Sequence, residues 1–135
     1  MVKSFSIRTA GRGLYEITDK VQSIVSQAGI DDGICHVFVQ HTSASLTIQE
    51  NADPSAKRDL EAWIDHAVPE GQAYFTHTQE GADDMPAHIK SVLTGATLAI
   101  PILGAELALG TWQGIYLWEH RSRPHTRSLV VHVGV

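Results

Sequence analysis

One cysteine, Cys35, is all that the 135 residues contain. An internal disulfide is therefore impossible, and a zinc site built on cysteine spacing is excluded. A lone cysteine within a strand-like run reads as a small core residue. Cationic residues are outnumbered, ten Lys and Arg against fifteen Asp and Glu, for a net charge of −5. That balance gives no reason to expect a nucleic-acid partner. Lys57, Arg58, Arg121, Arg123 and Arg127 could still gather into a local basic site for phosphate. No apolar run approaches transmembrane length, and Met1-Val2-Lys3-Ser4-Phe5-Ser6 carries no apolar h-region. No membrane partner is expected, and the cytoplasm is the default location. GxGxxG, GxxxxGK[ST] and Gly-x-Ser-x-Gly are all absent, which sets aside the common nucleotide-binding and serine-hydrolase designs.

The composition that remains, 43% hydrophobic and 19% charged, is that of a chain able to bury a core as one domain over residues 1–135. Lys3 to Thr9 alternates in polarity and predicts a first strand ending at Gly11-Arg12-Gly13, with a short second strand over Leu14 to Ile17. Thr18 reads as the N-cap of a helix that turns Val21, Ile24, Val25 and Ala28 inward, and Gly29 as its stop. Ile34 to Gln40 is the clearest buried strand, and strand character resumes at Leu46-Thr47-Ile48. Asp53-Pro54 opens a second helix with Leu60, Trp63, Ile64 and Ala67 on its apolar face. A third helix spans Asp84 to Thr94, with Ile89, Val92 and Leu93 expected to face inward. Thr97 to Ile102, interrupted by Pro101, predicts an edge or bulged strand. Thr111 to Arg121 and Arg127 to Val135 complete the set. The order lacks βαβ alternation, so the expected fold class is α+β.

Eight histidines are many for this length, and one stands in Asp83-Asp84-Met85-Pro86-Ala87-His88. At four residues' spacing, Asp84 and His88 project from nearly the same face of a helix. A carboxylate beside an imidazole can orient a general base, hold a divalent metal, or make a plain surface pair. One of the two adjacent acids is expected to cap the helix, leaving the other free for chemistry. His41 shares the parity of Cys35, Val37 and Val39, so it points toward the core at a strand end, as a site residue or as a packed histidine. His77 lies in a loop that leads into Asp84. Glu50 and Asn51, just before a helix N-terminus, are free to be ligands. In Thr111 to His120 the period is two: Gln113, Ile115, Leu117 and Glu119 share one side, and Trp112, Tyr116, Trp118 and His120 the other. Glu119 on an apolar face needs a partner, because burying it unpaired is costly. His36, His66, His125 and His132 form no cluster and read as structural.

Three segments together resemble a known family. Gln40-His41-Thr42-Ser43-Ala44-Ser45-Leu46-Thr47-Ile48-Gln49-Glu50-Asn51-Ala52-Asp53-Pro54, His77 through Ser91, and Gly110-Thr111-Trp112-Gln113-Gly114-Ile115-Tyr116 are similar to the signatures of the YjbQ-like family, also called the secondary thiamine-phosphate synthase family. The resemblance spans nearly the whole chain. It implies a two-sheet β-sandwich with flanking helices, assembled as a homotrimer. It also implies a weak thiamine-phosphate synthase activity, a transferase step in which a pyrimidine carbon loses pyrophosphate to a thiazole phosphate. Carried over by motif, the catalytic candidates are His41, Asp84, His88 and Glu119, with Asn51 and Gln113 as cofactor- or ligand-binding residues. His41, His77 and His88 are the candidate metal ligands. Pyrophosphate departure needs positive charge, from a divalent metal or from Arg and His; an acidic pair suits Mg²⁺ and neutral imidazoles suit Zn²⁺, and the sequence does not choose between them. The leading expectation is a small cytoplasmic enzyme acting on a phosphorylated small molecule, its pocket at or near a subunit boundary. Its rivals are a non-catalytic trimer that binds metal or a small ligand, and an interaction module using the Trp112/Tyr116/Trp118 face.

Overall fold

A computed structural model describes residues 1–135. The elements run β1 (Val2–Arg8), β2 (Gly13–Glu16), α1 (Thr18–Ala28), β3 (Gly33–Val39), β4 (Ala44–Glu50), α2 (Pro54–Ala67), α3 (Asp84–Thr94), β5 (Thr97–Leu103), β6 (Glu106–Leu107), β7 (Gln113–Glu119) and β8 (Thr126–Gly134). They form two antiparallel sheets, one ordered β1-β8-β3-β5-β6 and the other β2-β7-β4. The fold is α+β, as expected. No helix is long and apolar enough to cross a membrane.

Alternation explains the packing. Cys35, Val37 and Val39 of β3, Leu129, Val131 and Val133 of β8, and Ile100 and Ile102 of β5 turn the inner face of the large sheet toward Ala44, Leu46, Ile115 and Leu117 of the small one. Val21, Ile24 and Val25 of α1 close the same core, each contributing roughly 1.5–3 kcal/mol relative to exposure. Cys35 is fully buried, and burial pushes its thiol up to about 11. Gly29 ends α1 in the left-handed region at φ 67°, where a side chain would be strained. Pro101 turns its carbonyl away from β3 to accept the Ala108 N–H at 2.9 Å, just past two-residue β6, so its missing N–H costs the β3 ladder little.

Several expectations are corrected. Thr18 is the first residue of α1 and makes no cap bond. Its hydroxyl instead donates to Glu16 at 2.8 Å and accepts the Ile115 N–H at 2.9 Å, tying β7 to the helix start. The Tyr116/Trp118 side of β7 is not bare, because α2 of the same chain lays Ile64 and Leu60 over it beside Leu14. That face therefore cannot drive association; of it, only Trp112 is strongly exposed, at 63%. Trp63 is also exposed. In α3 the phase is rotated: Asp84, Ala87 and Lys90 are buried, whereas Val92 and Leu93 are 84% and 61% exposed. Polar bonds hold this inner face, with Lys90 donating to Asp65 at 2.6 Å and Ser91 to the Ala44 carbonyl at 3.2 Å.

Candidate functional site

The first turn of α3 carries the centre of the site. Asp84 is its first residue and is buried; His88, one turn on, shares its face. Neither acid caps the helix by its side chain. Asp83 is instead claimed by the turn after β7: its carboxylate accepts from Arg121 Nε at 3.0 Å and from the Ser122 backbone N–H and hydroxyl, both at 2.9 Å. Burial raises the Asp83 carboxyl, but these donors outweigh it and hold the group far below the usual carboxylate range. Arg121 reaches across with Nη1 to Asp84 Oδ1 at 2.8 Å and with Nη2 to the Glu80 carbonyl at 2.8 Å.

The other oxygen of Asp84 faces two imidazoles. His77 Nε2 lies 2.6 Å from Oδ2 and His88 Nε2 lies 3.1 Å from it. All three ligand atoms fall within 4.8 Å of one another. Burial pushes the Asp84 carboxyl up, and the His77 hydrogen bond with the charges of Arg121 and His88 pulls it below its ordinary value. His88 Nδ1 stands 3.0 Å from the Thr42 carbonyl, which can only accept. The proton of a neutral ring must therefore sit on Nδ1, and Nε2 then presents a lone pair to the carboxylate. Two acceptors face each other there, and a cation between them, a proton or a metal, reconciles them. A carbonyl that fixes the tautomer of a histidine in this way is the usual outer support of a metal ligand.

His41 does not join this cluster. Its Nε2 accepts the Ser128 backbone N–H at 2.8 Å, and its Nδ1 faces Arg127 Nη1 at 3.3 Å. Burial, then the Arg127 charge, lowers its pKa. Glu119 is fully buried beside it and finds the partner its position demands: Arg127 Nε donates to Oε1 at 2.7 Å, Arg127 Nη2 to Oε2, and the Thr9 hydroxyl to Oε1 at 2.7 Å. Burial raises the Glu119 carboxyl, and these donors pull it below the ordinary range. Arg127 shares the parity of Leu129, Val131 and Val133, so the alternation of β8 already marked it as a cation on the core face. Thr9 carried no such signal. Asn51 and Gln113 lie at the opposite end of the small sheet, where Glu50 pairs with Gln113 while Ala44 pairs with Glu119. Six residues of strand separate the two ends, about 20 Å. There Asn51 donates to Glu16 at 3.3 Å, and Gln113 Oε1 accepts from the Gly110 N–H at 2.8 Å. Of the five cations, Lys57 and Arg58 lie on α2, Arg121 and Arg123 follow β7, and Arg127 is buried.

His120 packs on the α2 side of β7 with its Nε2 2.8 Å from the hydroxyl of buried Ser45. Burial, then the charge of Lys90, moves its pKa from 6.5 down to about 3. The folded chain thus binds fewer protons than the unfolded one between those values. The stability this histidine contributes is complete above pH 6.5 and is lost as the pH falls toward 3. His120→Gln keeps a partner for Ser45 and carries no charge at any pH, so it should flatten that limb of a Tm-against-pH curve. An unchanged slope would assign the limb to another group.

A family model described as UPF0047 protein YjbQ-like matches residues 3–134. Among relatives, UPF0047 protein sll1880 of Synechocystis is 52% identical over 127 residues, 94% of this chain and 86% of that one. UPF0047 protein YjbQ of Escherichia coli O157:H7 is 39% identical over 95% of this chain and 93% of its own. A crystal structure of an uncharacterised conserved YjbQ/UPF0047 family protein from Clostridium acetobutylicum superposes with a TM-score of 0.90 at 37% identity, covering 98% of this chain and 99% of that one. The hypothetical protein APE1520 of Aeropyrum pernix gives 0.89 at 27% identity, over 99% and 98%.

Proposed function

The chain belongs to the YjbQ-like UPF0047 family, and from its site we propose that His77, Asp84 and His88 hold a divalent metal at which a phosphorylated small molecule is bound and acted upon. The observation that carries this reading is the His88 ring, with Nδ1 committed to Thr42 and Nε2 aimed with His77 Nε2 at one oxygen of Asp84. Two imidazole nitrogens and one carboxylate oxygen favour zinc or another transition metal over magnesium, which prefers an all-oxygen shell. Ligands of a tetrahedral zinc with bonds of about 2.0–2.1 Å stand about 3.3 Å apart, so the two nitrogens need to draw back only slightly from Asp84 Oδ2. Arg121 holds Asp84 Oδ1, which leaves Oδ2 as the single oxygen offered.

A bound ion would supply Lewis-acid charge to phosphoryl or pyrophosphoryl oxygens. Arg121 and Arg123 line the depression beside the cluster with Glu80 and Asp83, and Arg123 gives that side its cation for a phosphate. Loss of pyrophosphate in a thiamine-phosphate synthase step presents such oxygens, and we propose it as a secondary activity. One observation favours a non-catalytic binding role instead: His41 Nε2 accepts the Ser128 N–H, so the ring's proton sits on Nδ1 and its one lone pair is taken, leaving no free base there. Elemental analysis of the purified chain, followed by turnover assays on phosphomonoesters and pyrophosphate esters, tests the proposal. Metal-dependent turnover that a chelator removes and zinc restores is the expected result. Tight ligand binding with no turnover would favour the binding role.

We also propose a cytoplasmic homotrimer. Its apolar ground is not β7 but the outer side of α3 and the loop before it, where Val92, Leu93 and Tyr74 are exposed. Light scattering at micromolar concentration should give the mass of three chains, and a stable monomer would overturn the assembly.

A further inference from the structure

The loop joining α2 to α3 walls a cavity of about 180 Å³ lined by Gln72, Phe75, His77, Thr78, Ala82 and Met85, together with two glycines. His77 belongs to both places: its Nε2 meets Asp84, and its ring forms part of this lining. No Asp, Glu, Lys or Arg lines the cavity, whereas the depression that meets it at Gly81 is walled by Gln79, Glu80, Asp83, Arg121 and Arg123. The two lobes therefore sort a ligand by charge. The cavity is partly open to solvent, with Phe75 and Met85 half-buried and Ala82 exposed. An ionised group beside them would lose part of its hydration without meeting a carboxylate, lysine or arginine, while an apolar group there is removed in part from water.

Size narrows the class. An enclosed apolar cavity of about 150 Å³ accommodates one benzene ring, so this partly open one of about 180 Å³ has room for a single six-membered ring or a branched alkyl group of equal bulk. Phe75 offers an aromatic surface. The Met85 thioether adapts its shape and packs well on ring edges. Thr78 and Gln72 supply the neutral hydrogen-bonding groups of the lining; the Gln72 amide nitrogen is turned to the Glu70 carbonyl at 3.3 Å, which leaves its oxygen as the acceptor.

We infer that this cavity receives an uncharged, ring-sized apolar group of the ligand whose polar end lies at the His77–Asp84–His88 cluster. The inference rests on the proposed metal site for its anchor, and the test separates the two. The zinc-loaded full chain is titrated with acetohydroxamate, a metal-binding group alone, and with benzohydroxamate, the same group bearing a ring. In parallel, benzyl alcohol, which needs no metal, is added with and without zinc while the ε-methyl resonance of Met85 is followed. With two methionines in the chain, one substitution assigns that signal.

Benzohydroxamate should bind about tenfold more tightly than acetohydroxamate, and benzyl alcohol should shift the Met85 methyl in both metal states. Ala82→Phe, which fills the cavity, should bring the two hydroxamates to within about twofold. If neither hydroxamate binds while benzyl alcohol still moves Met85, the metal reading fails and the cavity stands. Equal hydroxamate affinities with an unmoved methyl overturn the cavity and leave the metal reading intact. A preference for the ring that survives Ala82→Phe with Met85 silent places the ring elsewhere and overturns the inference as well.

Discussion

Asp84→Asn is expected to weaken zinc binding by more than about 100-fold while leaving the chain folded. Loss of an outer partner of a metal ligand commonly costs 10–100-fold, and here the ligand itself is changed. Asparagine can still offer a carbonyl to Arg121, but its amide then points N–H groups at His77 and His88, where an anionic oxygen stood. Arg121 is not orphaned, since Asp83 holds its Nε at 3.0 Å and the Glu80 carbonyl its Nη2 at 2.8 Å. The stability cost should therefore stay within about 1–3 kcal/mol, a minor part of the roughly 5–15 kcal/mol typical of a domain. His88→Ala should bind zinc as poorly. It loses the bond to Thr42 but gains helix propensity at a position whose neighbours Ala87 and Lys90 carry the packing. Calorimetric titration with zinc, beside melting curves, reads both effects. Full zinc affinity in either variant, with an unchanged melt, would reduce the pair to a surface contact and sink the proposed function.

Period-two reasoning reached far into this fold because a strand on a two-layered core obeys it closely. β7 shows this best: Ile115 and Leu117 enter the core between the sheets, Tyr116 and Trp118 face α2, and Glu119 keeps the inner parity. What parity could not say is what lies over the second side. An aromatic strand face looks the same whether a helix of its own chain or another subunit covers it. α3 shows the limit for helices. Ile89, Val92 and Leu93 are spaced as one stripe, so the period was legible, but its phase was not. The stripe reading assumes that the apolar side seeks the chain's own core. Here the inner side is fastened by Asp84 on Arg121, Lys90 on Asp65 and Ser91 on Ala44, while Ile89 and Leu93 wall an open groove with Tyr74 and Phe75.

The site was legible where its spacing is local. Asp84 and His88 are one turn apart, and His77 enters from the loop before them, so proximity in sequence became proximity in space. Two supports lay beyond that reach: the Thr42 carbonyl, which no side-chain motif can display, and Arg121 from the turn after β7. His41 lies apart from the cluster for a related reason. Its inward parity is real, but an inward histidine at a strand end can be consumed by the backbone, as the Ser128 N–H consumes this one.

Arg127→Met should be strongly destabilising, because it strands Glu119. That carboxylate is fully buried and Arg127 is 3% exposed, so neither charge can recover its hydration in place. With the guanidinium gone, the Thr9 hydroxyl at 2.7 Å and the Arg121 N–H at 3.1 Å are the donors left to Glu119. Breaking a buried pair from one side costs about 3–5 kcal/mol, enough to leave a domain at the low end of the usual range of roughly 5–15 kcal/mol partly unfolded. Glu119→Gln should cost less, since the cation keeps the Ser43 carbonyl at 3.2 Å and its hydroxyl at 3.0 Å. In Glu119→Gln/Arg127→Met no charge is left without its partner, so urea unfolding should find the double variant more stable than Arg127→Met alone. The coupling should amount to at least about 1–2 kcal/mol. Because the pair contributes no atom to the His77–Asp84–His88 cluster, the folded double variant should bind zinc within a few-fold of the parent. Simple additivity would show that the two charges do not depend on each other. A large loss of zinc affinity in the folded double variant would instead return Glu119 from the architecture to the site.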